Sequence, residues 1–249
     1  MFNHQEKERY ARHLMLEEVG EAGQLRLKEG RVLVIGAGGL GSPVAQYLAA
    51  AGVGTIGIAD GDRVELSNLQ RQVIHGTGDL GRAKVASARD RMLEINPGVR
   101  VECHEGWVRR ENVAELVGSY DFVVDATDNF DAKFLINDAC LAAGKAYSHG
   151  GILKFQGQTM TVLPKRSTCY RCIFPEPPEP EVALSCSRAG VLGVLPGVIG
   201  AIQATEAIKY LVGIGELLTS RLLTYDVLRL RFREVPLQRN SACPACGDV

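Results

Sequence analysis

The chain has 249 residues, a formal net charge of −1, 46% hydrophobic residues and 23% charged ones. This is enough apolar material for one large α/β domain or two small ones. The near-neutral balance removes any whole-molecule case for binding nucleic acid or a membrane surface, although a local anion site stays open. The opening stretch MFNHQEKERYARHL has no apolar signal core. The longest apolar run, residues 189–202, is too short to span a bilayer and contains Pro196, so a cytoplasmic chain is expected.

Taken in order, residues 4–29 read as helix, rich in Glu, Leu, Arg and Lys. RVLVIG (31–36) reads as a buried parallel strand, GSPVAQYLAAAGV (41–53) as the helix after it, and GTIGIADGD (54–62) as a second strand ending on acids. Residues 81–97 are amphipathic, with Val85, Ala88, Met92 and Ile95 on one face, and the helix is predicted to stop at Asn96-Pro97. Strands follow at 99–106 and 120–128, then a helix from about residue 132 to 143 and a strand at 145–151. The β-α-β alternation predicts a Rossmann-like, mostly parallel sheet with helices on both faces. In such sheets ligands sit beyond the carboxyl ends of the strands, where Gly38, Asp60 and Asp128 all fall.

After residue 151 the pattern changes. FQGQTMTVLP (155–164) alternates like a strand outside the parallel set, and the Pro/Glu-rich stretch 175–184 reads as a mobile loop. Residues 190–213 read as an apolar helix or a broken pair, and 221–227 with 230–237 as a closing antiparallel hairpin. The expected organisation is a single domain over 1–249, with a nucleotide-binding core at 31–151 and a C-terminal part at 152–249.

Gly36-x-Gly38-x-x-Gly41 follows the first strand. Such glycines permit a tight turn and let backbone N–H groups approach phosphate at a helix N-terminus. Asp60 is placed to accept hydrogen bonds from a ribose. Alone, this motif suits NAD as well as the adenosine half of ATP. The next polar cluster brings Asn68, Arg71 and Lys84. A dehydrogenase has little use for two cations near the phosphates, whereas nucleotidyl transfer needs them. A carboxylate must approach an anionic α-phosphate, and pyrophosphate must leave, so Arg71 and Lys84 with Mg²⁺ would screen both steps. A carboxylate is already ionised at pH 7, so no general base is required. Asp128 and Asn129, at the mouth of the fourth strand, suit Mg²⁺ or ribose.

Cys169-x-x-Cys172 and Cys243-x-x-Cys246 are four of seven cysteines, and as two thiolate hooks they can form one tetrahedral structural Zn²⁺ site per chain. That site would staple the chain end to the loop after residue 164. Cys103 and Cys140 are expected to be core thiols.

These elements together carry a resemblance. RYARH (9–13), GAGGLGS (36–42), DGDRVELSNLQRQ (60–72), GRAKV (81–85), DATDNF (125–130), both C-x-x-C pairs and residues 185–209 resemble the HesA/MoeB/ThiF family, bacterial relatives of ubiquitin-activating enzymes. The resemblance implies ATP-dependent adenylation of the C-terminal Gly-Gly carboxylate of a ubiquitin-like sulfur-carrier protein, of the kind serving molybdopterin or thiamin biosynthesis. It implies that Gly36, Gly38, Gly39, Gly41, Asp62, Ser67 and Asn129 line the nucleotide, that Asp60 holds the ribose, that Asn68, Arg71 and Lys84 contact the phosphates, and that Asp128 helps place Mg²⁺. It further implies a homodimer in which Arg12 reaches the partner's ATP site, and a separate sulfur-donor protein. In similar proteins a cysteine at the position of Cys186 can bond covalently to the activated carrier; the other interpretation is a spare loop thiol. Two rival functions remain at this level. One is an NAD-dependent oxidoreductase, resting on the glycines and Asp60. The other is a non-catalytic zinc-stabilised scaffold for a ubiquitin-like protein.

Overall fold

The computed structural model describes residues 1–179, 181 and 189–247. Eight strands, β1 (Arg31–Ile35), β2 (Thr55–Asp60), β3 (Arg100–Glu105), β4 (Phe122–Asp125), β5 (Ala146–Leu153), β6 (Gln156–Val162), β7 (Arg221–Asp226) and β8 (Arg231–Pro236), form one sheet in the order β3-β2-β1-β4-β5-β6-β7-β8. The first five are parallel, with register pairs such as Val34↔Ile58 and Asp125↔His149. The last three run antiparallel, as the alternation in 155–164 and the closing hairpin predict. Strand β1 buries both its faces. Val32 and Val34 join the core beneath α4 (Gly41–Ala51), α5 (Lys84–Ile95) and α9 (Val194–Val212), while Leu33 and Ile35 join the opposite core with Phe134 and Tyr147. That is why it reads as an unbroken apolar run rather than an alternating one.

The helices α6 (Val113–Gly118), α7 (Phe130–Ala143) and α8 (Tyr170–Ile173) cover the second face. Val85, Ala88 and Met92 are buried on α5 as its spacing predicts, and the helix ends at Asn96. The buried Asn96 amide donates to the Ala49 carbonyl and to the Tyr10 hydroxyl, each at 2.8 Å. Helix α9 is continuous despite Pro196, because the proline lies in its first turn, where no intrahelical N–H is required. Among the described residues, no helix is long and apolar enough to cross a membrane.

Two expectations need correction. Residues 4–29 form three helices, α1 (His4–Arg9), α2 (Ala11–Leu14) and α3 (Gly20–Glu29). The first break falls at Tyr10, which is buried by tertiary contact over Gly52 and bonded to Asn96, an anchor that outweighs helical propensity. Cys103 is exposed, since β3 is the sheet's edge strand. Cys140, on α7, is fully buried. The stretch 175–184, expected to be a mobile loop, lies partly outside the described residues.

Candidate active site

Strand order reverses between the parallel neighbours β1 and β4, the chain passing from β1 to β2 on one side and from β4 to β5 on the other. A crevice opens at such a switch point beyond the carboxyl ends of the strands. Here it is a cavity of about 840 Å³ lined by residues from several separate segments, including Gly38, Asp60, Arg71, Lys84, Trp107 and Asp128. The volume is within the range of about 300–1,000 Å³ typical of ligand sites.

The glycine turn is braced by its neighbours. Ala37 N–H donates to Asp60 Oδ2 at 2.7 Å, and Asp62 N–H donates to Asp60 Oδ1 at 2.8 Å. His75, which the motif spacing did not single out, holds the other side. Its ring nitrogens lie 2.9 Å from the Ala37 carbonyl and 2.8 Å from Ser87 Oγ. Burial pushes the imidazole's pKa down, and nearby Lys84 adds to this. The neutral ring therefore donates from Nε2 to the carbonyl and accepts from the serine hydroxyl.

Lys84 opens α5 and is 5% exposed, with its ammonium 2.8 Å from Asp62 Oδ2. Arg71 is half-buried, and its guanidinium donates to the Ser67 carbonyl at 3.3 Å. Gly39 and Gly36 line the same cavity, as do Asp62 and Asn129. Gly41 is instead pressed on the backbone of the turn: a Cβ there would fall 1.8 Å from the Gly36 carbonyl oxygen. Asn129 caps α7, its Oδ1 accepting from Ala132 N–H at 2.9 Å. The Asp128 carboxylate is exposed at the cavity and has no hydrogen-bond or ion-pair partner among the described residues.

Besides Gly41, three expected residues are not brought to the lining. Arg12 is exposed on α2, and Ser67 and Asn68 sit on the short 3₁₀ turn at Leu66–Asn68 outside it. Cys186 lies outside the described residues. Conversely, the cavity includes residues the motifs did not flag. Gln72 is 4% exposed and its Oε1 has no partner among the described residues. Trp107, the chain's one tryptophan, packs its indole on Gly61 at the Asp60 side of the cavity. Gln72 lies inside the quoted motif, but only burial marks it out, and burial is a tertiary property.

Cys169, Cys172, Cys243 and Cys246, the first two flanking the cavity residue Arg171, have sulfurs all within 4.8 Å of one another. Individual separations are 3.8 Å (Cys169–Cys172), 3.6 Å (Cys169–Cys243) and 3.4 Å (Cys172–Cys246). A tetrahedron with Zn–S bonds of about 2.3 Å has edges of about 3.8 Å, so the four thiols fit that ion. They are far too distant for disulfides at about 2.05 Å.

The sequence profile of the ThiF family matches residues 10–245. The chain is 51% identical over 241 residues to the SAMP-activating enzyme E1 of Haloferax volcanii, covering 97% of this chain and 89% of that protein. It is 48% identical over 249 residues to a sulfur carrier protein adenylyltransferase of Thermus thermophilus, covering 98% and 92%. It also matches the adenylyltransferase and sulfurtransferase MOCS3-2 of Zea mays at 48% identity, but spans 50% of that protein. Among solved structures, E. coli MccB with MccA-N7isoASN superposes with a TM-score of 0.85 over 97% of this chain and 75% of that one. At 23% identity this shows a shared fold. With the profile spanning nearly its whole length and relatives at about half identity, the chain belongs to the ThiF family.

Proposed function

We propose that the protein is an adenylyltransferase that activates the C-terminal carboxylate of a ubiquitin-like sulfur-carrier protein with ATP. The observation that carries this is the meeting, in one cavity, of a glycine turn, two cations and the Asp128 carboxylate, which has no partner among the described residues. The names of the relatives in Haloferax and Thermus support it. ATP would lie with its phosphates along the Gly36–Gly41 turn and its ribose toward Asp60. A carboxylate oxygen of the carrier's last glycine attacks the α-phosphorus. A new O–P bond forms, the bond to the bridging oxygen breaks, and its electron pair leaves with pyrophosphate. Lys84 and Arg71 offset the charge that accumulates on the phosphoryl oxygens and the leaving group. Lys84, buried and held on Asp62 at 2.8 Å, is the more rigidly placed of the two. The free carboxylate of Asp128 is the donor available for Mg²⁺, which when bound would neutralise phosphate charge.

The part from residue 152 onward would bind the carrier, with Zn²⁺ on the four cysteines holding it together. Arg12, exposed on α2, would act across a homodimer, and a separate donor would supply sulfur to the acyl-adenylate. ATP–pyrophosphate exchange tests this, using purified protein, Mg²⁺ and a panel of ubiquitin-like proteins ending in Gly-Gly. Exchange with one of them, lost when its last glycine is removed, is the expected result. Folded, zinc-loaded protein that exchanges with none would overturn the assignment.

A further inference from the structure

The cavity residues that follow β4, Ala126–Asn129, hang from a buried ionic cluster whose own members, Asp125, Lys133 and His149, do not line the cavity. Asp125, 1% exposed, accepts from His149 Nδ1 at 2.9 Å, from Thr127 N–H at 3.1 Å and from Thr127 Oγ1 at 2.6 Å. Lys133, one turn into α7 and 7% exposed, places its ammonium 3.2 Å from Asp125 Oδ2. It also donates to the carbonyls of Thr127 and Gly150, both at 2.7 Å. An ammonium has three N–H bonds, so Lys133 is saturated by one carboxylate and two carbonyls. Burial alone would push the Asp125 carboxyl up, but the Lys133 ammonium and the His149 N–H outweigh it and hold it at about 2. Burial and the same ammonium push His149 down, so it stands as a neutral Nδ1–H donor.

The Thr127 carbonyl belongs to the peptide group that leads into Asp128. Gripping it between β5 and α7 removes the rotation that would otherwise swing the Asp128 carboxylate away from the cavity. The Asn129 cap fixes the other end of the same short segment. A buried ion pair is a weak source of stability compared with apolar residues of the same volume. Its distinctive effect here is geometric: it ties one backbone carbonyl to one position.

We propose that Lys133, paired with Asp125, is a positioning residue for nucleotidyl transfer, locking the Thr127–Asp128 peptide so that the Asp128 carboxylate faces the reacting phosphate. This rests on the adenylation assignment above. Lys133 acts through Asp128, so its loss slows turnover while leaving the glycine turn and ribose contacts, and hence nucleotide affinity, in place.

Lys133→Met alone would strand a buried carboxylate, so the variant to use is Lys133→Met with Asp125→Asn, which removes both charges. Its folding is checked by thermal melting, and its ATP affinity by Trp107 fluorescence. Exchange is then measured with ATP, Mg²⁺, radiolabelled pyrophosphate and a recombinant ubiquitin-like carrier ending in Gly-Gly. The folded double variant is expected to lose kcat by about 10- to 100-fold, the scale of a misplaced reacting group, with KM for ATP within about threefold of wild type. Adding Asp128→Asn is expected to cost less in this background than in wild type, because the two act as a unit. A wild-type kcat in the folded variant, or strictly additive losses, overturns the positioning role while leaving adenylation standing. Absence of exchange by the wild type with every such carrier overturns the adenylation assignment, and the positioning role falls with it.

Discussion

Replacing Gly41 and Gly38 separately by alanine should separate packing from binding within the glycine motif. A Cβ on Gly41 falls 1.8 Å from the Gly36 carbonyl oxygen and 2.9 Å from its carbon. Both obstacles are main chain, so no rotamer change relieves them, and the turn and α4 must separate by more than about 1 Å. Core overpacking typically costs about 1–3 kcal/mol, and a backbone-on-backbone clash belongs at the top of that range, about 3 kcal/mol. For a domain of this size, about 2–4 °C is lost per kcal/mol, so Gly41→Ala should melt about 6–12 °C below wild type. Gly38 differs: its added Cβ meets only Gln72 Nε2, at 3.6 Å, and points into the cavity lining. Gly38→Ala should keep the wild-type melting temperature or exceed it slightly, since alanine restricts the unfolded chain by about 0.4–1 kcal/mol. Its methyl group would stand where phosphate must approach, weakening ATP about tenfold or more. Scanning calorimetry gives the first quantity and Trp107 fluorescence titration with ATP the second. If Gly41→Ala melts with wild type, or if Gly38→Ala loses stability but not affinity, packing and binding are not divided between these two glycines.

Other outcomes follow from the same structure. Lys84→Met should reduce pyrophosphate exchange by about 10²–10³-fold in folded protein, the scale of removing one preorganised charge from a transition state, and an undiminished rate would exclude Lys84 from the chemistry. Stripping metal with a chelator at neutral pH should release four thiols (Cys169, Cys172, Cys243 and Cys246) to a thiol reagent and lower the melting temperature; an unchanged melt would argue against a structural ion. Because the folded Asp125 carboxyl sits near 2 against an ordinary 3.8, its contribution is present above pH 4 and is lost as pH falls from about 4 to about 2. Over that window the wild type should lose about 2 kcal/mol more than Asp125→Asn in urea unfolding, with metal loss common to both, and parallel curves would sink the assignment. Cys103→Ser should be neutral within about 0.5 kcal/mol, as for an exposed edge-strand position, whereas Cys140→Ser should cost about 1–3 kcal/mol by burying a hydroxyl in place of a thiol.

Much of the site was legible because its signals are local. RVLVI, the glycine spacing and Asp60 identify a strand, a turn and an acid at the end of the next strand within thirty residues of one another, and a parallel strand order makes their convergence a rule of topology. The two C-x-x-C hooks are similarly short-range, and a single ion explains why two of them occur. What the chain could not announce lies in contacts between distant segments. The His75 brace on Ala37 joins positions 38 residues apart, and the bond from Asn96 to Tyr10 spans 86. Exposure of Cys103 depends on β3 being the last strand of the sheet, which alternation within the strand does not reveal.

The sequence by itself therefore determined the glycine turn in its strand-turn-helix frame, the cation pair and the cysteine hooks, because each depends on residue type at fixed spacing along one or two adjacent elements. The tertiary structure alone decided that Lys133, Asp125 and His149 form one buried cluster under the Asp128 loop. These three come from α7, β4 and β5, and no periodicity links them. They meet because parallel pairing of β4 with β5 sets Asp125 opposite His149 and because α7 returns across the same strands, so that a lysine written as an ordinary helix residue ends among a carboxylate and two carbonyls. Burial then made the charges costly unless paired, and so tied the cluster to a single arrangement.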